Sequence, residues 1–112
     1  MKRGERALNY NKVSAAESAF TRAEKMRPRS PAPTAQLGWC KLARKRYRGA
    51  IPFFKRALSK SPRHGDSIYG LGYTYTKLKR IQEARAQYEL YLKVHPQGPH
   101  KHKVEYQLRK LR

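Results

Sequence analysis

A chain of 112 residues, 30% charged and 38% hydrophobic, has room for one domain or a small repeat array and too little apolar material for a deep core. Lys and Arg number 27 against 7 Asp and Glu, a formal charge of +20 that attracts polyanions and says nothing about fold. The single cysteine, Cys40, excludes an internal disulfide, and no apolar run approaches the ~18 residues of a transmembrane helix.

The chain begins Met1-Lys2-Arg3-Gly4-Glu5-Arg6, basic but with no apolar stretch behind it, so it is not a secretory signal. Residues Met1 to about Asn9 read as the remains of a first helix, either because the chain is a piece of a longer protein, the favoured reading, or because that helix is short. Tyr10-Asn11-Lys12 is expected to turn the chain, since Asn tolerates the left-handed conformation. Ser14 with Glu17 reads as a capping box opening a second helix that carries Val13, Ala16, Ala19, Phe20, Ala23 and Met26 at helical spacing. Arg27-Pro28 ends it.

Pro31 and Pro33 suit the first turn of a third helix, Ala35 to about Arg44, and Lys45-Arg46 turns the chain again. A fourth helix covers Tyr47 to Ser59; Pro52 should bend it if it lies deeper than the first turn. After Ser61-Pro62-Arg63-His64-Gly65, Asp66 sits in the first turn of a fifth helix, where an anion suits the dipole. The sixth helix covers Ile81 to Val94. The segment Pro99 to Arg112 reads as a last helix with Val104, Leu108 and Leu111 on one face.

One pattern recurs along the chain. Leu37-Gly38-Trp39, Tyr47, Ala50, Phe54, Ala57 and Pro62 return 34 residues later as Leu71-Gly72-Tyr73, Ile81, Ala84, Tyr88, Tyr91 and Pro96. The preceding period holds Gly4, Val13, Ala16, Phe20, Ala23 and Pro28. Small residues at fixed places let helices approach, and an aromatic fills the space between units. This period and residue order resemble the tetratricopeptide repeat (TPR) family. The resemblance implies an all-α solenoid of stacked antiparallel helix pairs, about seven helices including a C-terminal cap helix. The repeats would be 1–29 (truncated), 30–63 and 64–97, with the cap at 98–112. Ala57 becomes Tyr91 at the cap, so that junction must be reshaped.

The resemblance also implies a concave face lined by the first helix of each repeat. Helical spacing places Glu5, Leu8, Asn9, Ala35, Trp39, Leu42, Ala43, Tyr69, Tyr73, Thr76 and Lys77 there. The candidate partner-binding groove is Asn9, Trp39, Leu42, Tyr69, Tyr73, Thr76 and Lys77, with Trp39, Tyr69 and Tyr73 as anchors. The alternative for Trp39 is a core residue covered by the first repeat. A TPR subgroup clamps C-terminal carboxylates with Lys and Asn; the matching places here hold Met1, Glu5, Gln36, Asp66 and Gly70, so a clamp of that type is rejected.

The turns between paired helices carry a basic ridge: Lys12, Arg44, Lys45, Arg46, Arg48, Lys79 and Arg80, with Lys77 beside them. Such a ridge neutralises phosphates, with nearby aromatics for base stacking, or is a solvated edge. His95, His100 and His102 match no zinc spacing and read as surface histidines, so no metal and no cofactor is expected. No catalytic grouping is evident. The expected function is a scaffold binding a protein or peptide, acidic in character, in the concave groove. The alternatives are nucleic-acid binding through the ridge and self-association through the truncated first repeat. Cytoplasm is the default compartment.

Overall fold

The computed structural model describes the backbone of residues 2–111 and the side chains of residues 12–111. Among these residues there are six helices and no strand: α1 (Lys2–Met26), α2 (Pro31–Ala43), α3 (Tyr47–Lys60), α4 (Gly65–Lys77), α5 (Ile81–Val94) and α6 (Lys101–Lys110). Each packs on the next, and α2 also touches α4. This makes two layers, α2, α4 and α6 on one side, and α1, α3 and α5 on the other. No described helix is long and apolar enough to cross a membrane.

The expected first turn is absent. Tyr10-Asn11-Lys12 lies inside α1, so six helices are seen where about seven were expected. The reason is physical: the stretch contains neither proline nor glycine, and the only apolar residues before it are Met1, Ala7 and Leu8, so folding back would bury little apolar surface. Without that gain the helix continues. Lys12 is therefore a helix residue, and Ser14 and Glu17 do not form a capping box. Ser14 Oγ instead accepts a hydrogen bond from Arg44 Nη2, and Glu17 Oε1 lies 2.9 Å from Arg44 Nη1.

The other two helix–helix turns form as expected, and both close the same way. After α2 the Lys45 N–H bonds Leu42 O and the Arg46 N–H reaches back to Lys41 O; after α4 the Lys79 N–H bonds Thr76 O and the Arg80 N–H reaches Tyr75 O. This doubled closure requires a left-handed residue, and Lys45 and Lys79 both adopt φ 60°. Pro52 lies inside α3 rather than in its first turn, on an exposed position.

The core is the repeated pattern made solid. Phe54, Ile68, Tyr88 and Val104 have no exposed surface, and Tyr91 has 1%. A β-carbon on Gly38 would lie 2.9 Å from the Phe54 ring, and one on Gly70 only 2.5 Å. One ring therefore presses on the backbone of its own repeat and of the next. Tyr88 stands against Gly72 in the same way, 2.6 Å from a β-carbon there. The corresponding Phe20 is only half-buried. Sixteen residues after it stands Gln36, at the place where Phe54 has Gly70.

The junction reshaped by Tyr91 is solved by glycines and a hydrogen bond. Gly65 and Gly98 leave space around the ring, and the Tyr91 hydroxyl accepts the backbone N–H of His100 at 2.9 Å. That bond fixes the start of α6.

Between α1 and the next pair, Glu24 is the ionic junction. Its carboxylate accepts from Thr34 Oγ1 at 2.6 Å, from Arg56 Nη2 at 2.8 Å and from Lys60 Nζ at 3.4 Å. Burial works against its charge, but those bonds outweigh it and hold Glu24 at about 2, down from 4.5.

Candidate functional site: an aromatic groove walled by the last helix

Helix α4 places Tyr69 and Tyr73 one turn apart, and Tyr69 packs edge-on against Tyr91 of α5 (ring centroids 6.5 Å) as well as toward α2 and α6. Trp39 on α2 stacks near Tyr69 (ring centroids 5.9 Å), sits 6.1 Å from Tyr73, and meets Phe54 edge-on at 5.4 Å. Tyr69 stacks flat on His100, with centroids 4.3 Å apart and planes 8° apart. His100 in turn bonds Asp66 Oδ1 through Nε2 at 2.8 Å. The result is a continuous row of rings from α2 across α4 to the start of α6.

Beside this row lies a groove of about 370 Å³ lined by Tyr69 and Tyr73 of α4 and by His102, Lys103, Tyr106 and Gln107 of α6. Tyr106 is half-exposed. Lys77 Nζ stands 5.4 Å over the Tyr73 ring and Lys110 Nζ 5.3 Å over the Tyr106 ring. Among the described residues no carboxylate lines the groove; the nearby Glu105 is 3.6 Å from His102 Nδ1. Burial raises the Tyr69 phenol, helped by Tyr73 and Tyr91, so its hydroxyl stays a neutral hydrogen-bonding group.

The groove positions read from the sequence divide. Trp39, Tyr69 and Tyr73 come together and are half-buried; Tyr69 and Tyr73 line the groove, while Trp39 stands behind them, edge-on to Phe54. Lys77 is exposed at the rim. Thr76 is half-buried, bonded to Gly72 O and near the Tyr88 hydroxyl. Leu42, 8% exposed, and Ala35, 0%, belong to the core, because α2 turns that side toward α3. Asn9 lies outside the described side chains. Helix α6 was expected as a C-terminal cap, and its four lining residues were not among the groove positions read from the sequence. The rejected clamp positions carry no cation here either: Gly70 is covered by Phe54, and Asp66 is engaged by His100.

The ridge is also redistributed. Arg44 is half-buried and committed to Glu17 and Ser14, and Arg80 holds Glu83 at 2.6 Å and covers the Tyr75 ring at 4.9 Å. Lys12, Lys45, Arg46, Arg48 and Lys79 are exposed. The aromatics expected to stack bases are not open: Tyr75 is 3% exposed and Tyr47 half-buried. A larger cleft of about 480 Å³ between α1 and α2 is lined by Ser14, Glu17, Ser18, Thr21 and Arg44, and its one cation and one carboxylate face each other. Among the described residues no three His, Cys, Asp or Glu side chains converge on a metal geometry.

Antiparallel helix pairs stacked beside an inner groove define an α-solenoid. Two family models described as tetratricopeptide repeat match the chain, one over residues 41–104 and one over residues 1–64. The chain belongs to the tetratricopeptide repeat family. Among solved structures it is similar to the first TPR of Spaghetti (RPAP3) bound to the HSP90 peptide SRMEEVD, with TM-score 0.81, 18% identity, and 98% of this chain and 85% of that one covered. It is similar to the second TPR domain of human RPAP3 in complex with the HSP70 peptide SGPTIEEVD, with TM-score 0.78, 19% identity, and 98% and 89% covered. The Yersinia enterocolitica type III secretion translocator chaperone SycD is also similar, with TM-score 0.81, 16% identity, and 94% and 79% covered. No curated protein sequence matches the chain.

Proposed function

We propose that this chain is a protein-interaction scaffold that holds an acidic peptide segment of its partner in the groove between α4 and α6. The observation that carries this reading is the lining: three tyrosines, one lysine and two further lysines poised over tyrosine rings, with no carboxylate among the lining residues. Tyrosine offers a large contact area with little side-chain entropy to lose, which suits an anchor. The lysines attract the carboxylates of the incoming segment and disfavour basic ones. The peptide complexes of the two RPAP3 domains support a groove of this kind, although this chain lacks the cations of a terminal carboxylate clamp. The acidic side chains of the segment, rather than its C-terminus, are what the groove selects.

The test is a selection from a random-peptide display library on the immobilised protein, followed by titration of the enriched peptides. Sequences rich in Asp and Glu around an apolar or aromatic residue are expected. Amidating their C-termini should leave affinity within about twofold. Tyr73→Ala with Tyr106→Ala should weaken binding at least ~30-fold, the scale of a hot-spot loss. Enrichment of basic peptides, or binding that survives both changes, overturns the reading.

A further inference from the structure

We propose that the edge of the stack formed by the α2–α3 and α4–α5 turns binds the phosphate backbone of duplex nucleic acid. Because successive helices run antiparallel, the ends of α2 and α4 and the starts of α3 and α5 share this edge. The Ser14–Arg44 hydrogen bond draws α1 to the same place, which sets Lys12 beside the turns although it lies in a helix. Helix α6 runs back toward this edge and ends in Arg109 and Lys110.

Two groups of cations must be separated. Arg44 and Arg80 are neutralised by Glu17 and Glu83 and hold the fold together. Lys45, Arg46, Arg48 and Lys79 are exposed, and among the described residues none of them has a carboxylate within ion-pair distance. Lys45 and Lys79 moreover occupy the left-handed position that closes each turn, φ 60° in both. Glycine takes that conformation without strain and lysine does not. The chain thus keeps a charge at a position that folding alone would give to glycine, twice and in register.

The chemistry of the edge favours a duplex. Its aromatics are covered, Tyr75 by the Arg80 guanidinium and Tyr47 by half-burial, so no open ring awaits an unstacked base. Among the described residues its one exposed large apolar side chain is Ile81, 38% exposed, too little to enter a bilayer. A row of cations without stacking groups or base-reading side chains reads backbone charge. Lys45, Arg46, Arg48 and Lys79 do not line the α4–α6 groove, so these cations are separate from those of the peptide groove.

The experiment is fluorescence anisotropy of a labelled mixed-sequence DNA duplex titrated with the whole chain from about 50 mM to 200 mM salt. Replacing Lys45, Arg46, Arg48 and Lys79 by Gln should flatten the plot of log affinity against log salt by up to about 3 to 4, at roughly 0.9 for each phosphate left unneutralised. A charge-matched control, Lys25, Lys55, Arg63 and Lys93 to Gln, all exposed and off this edge, should change it by less than about 1. Lys45→Gly with Lys79→Gly provides the fold control: its melting temperature should rise while DNA affinity falls. Equal losses in the two quadruple variants would reduce the effect to net charge and overturn the proposal. So would tighter binding of the single strand than of the duplex, equal competition by polyglutamate, or unchanged affinity in the double glycine variant.

Discussion

Replacing Glu24 by Gln removes one charge and keeps the shape of the junction that ties α1 to α2 and α3. The folded carboxylate sits at about 2 instead of 4.5, which at 1.36 kcal/mol per pH unit sets a ceiling of about 3 kcal/mol. Glu24 is 20% exposed and Arg56 46% exposed, so solvent screening brings the expected contribution to about 1–2 kcal/mol. The direction follows from linkage. A depressed carboxylate stabilises the fold above 4.5, and the contribution fades as pH falls toward 2, because the unfolded chain takes up a proton that the folded one refuses. Urea denaturation followed by circular dichroism, from pH 7 to pH 3 at constant salt, measures it. Glu24→Gln should be less stable than the parent by about 1–2 kcal/mol at pH 7, and the gap should shrink to less than half by about pH 3. Self-repulsion of the basic chain acts on both proteins and drops out of the difference. A gap absent at pH 7, or one of constant size down to pH 3, would refute the assignment of Glu24 as a charged junction.

Two further outcomes follow from packing and burial. Gly70→Ala drives a β-carbon to 2.5 Å from a Phe54 ring that has no exposed surface to yield into; it should cost about 1–3 kcal/mol. Gly49→Ala, with nothing nearer than 3.9 Å, should gain up to about 1 kcal/mol from helix propensity, and thermal melts of the pair test whether Gly70 is there for space. Burial pushes the Tyr88 phenol up to about 12, against the lowering bond from Thr76. An absorbance titration should show a phenol ionising late, lost in Tyr88→Phe, and stability should fall as pH rises from 10, where the unfolded tyrosine ionises first. A titration unchanged by that substitution contradicts the burial of Tyr88.

What the sequence disclosed was whatever the period carried. Gly38, Gly72, Phe54 and Tyr88 stand one repeat apart because each meets the same neighbour in each repeat, and periodicity reports that directly. The fused helix α1 was hidden because no local residue forbids a turn at Tyr10-Asn11-Lys12; the outcome depends on how little apolar surface the preceding residues offer. Arg44 was read as a free cation because its partner Glu17 lies in another helix, where spacing gives no sign. The groove wall was missed because the placement of α6 rests on the Tyr91 hydroxyl and the start of one helix. A signal did exist at that end. Asp66 and His100 lie one period apart, an acid and a base at equivalent places of adjacent units, and they are bonded. Leu42 was misplaced because one face of a helix grades into the next without a mark in the sequence, and the structure buries it in the core.

The ring of Phe54 needs a bare backbone at Gly70, whereas at the same interval Phe20 is followed by Gln36 and Tyr88 by Val104. The three joints are therefore not interchangeable parts. A copy of residues 30–63 duplicated in tandem would place Gln36 under an incoming Phe54, and the array could lengthen by whole units only if that position changed to glycine in the same event. Growth of this chain by duplication is tied to one codon.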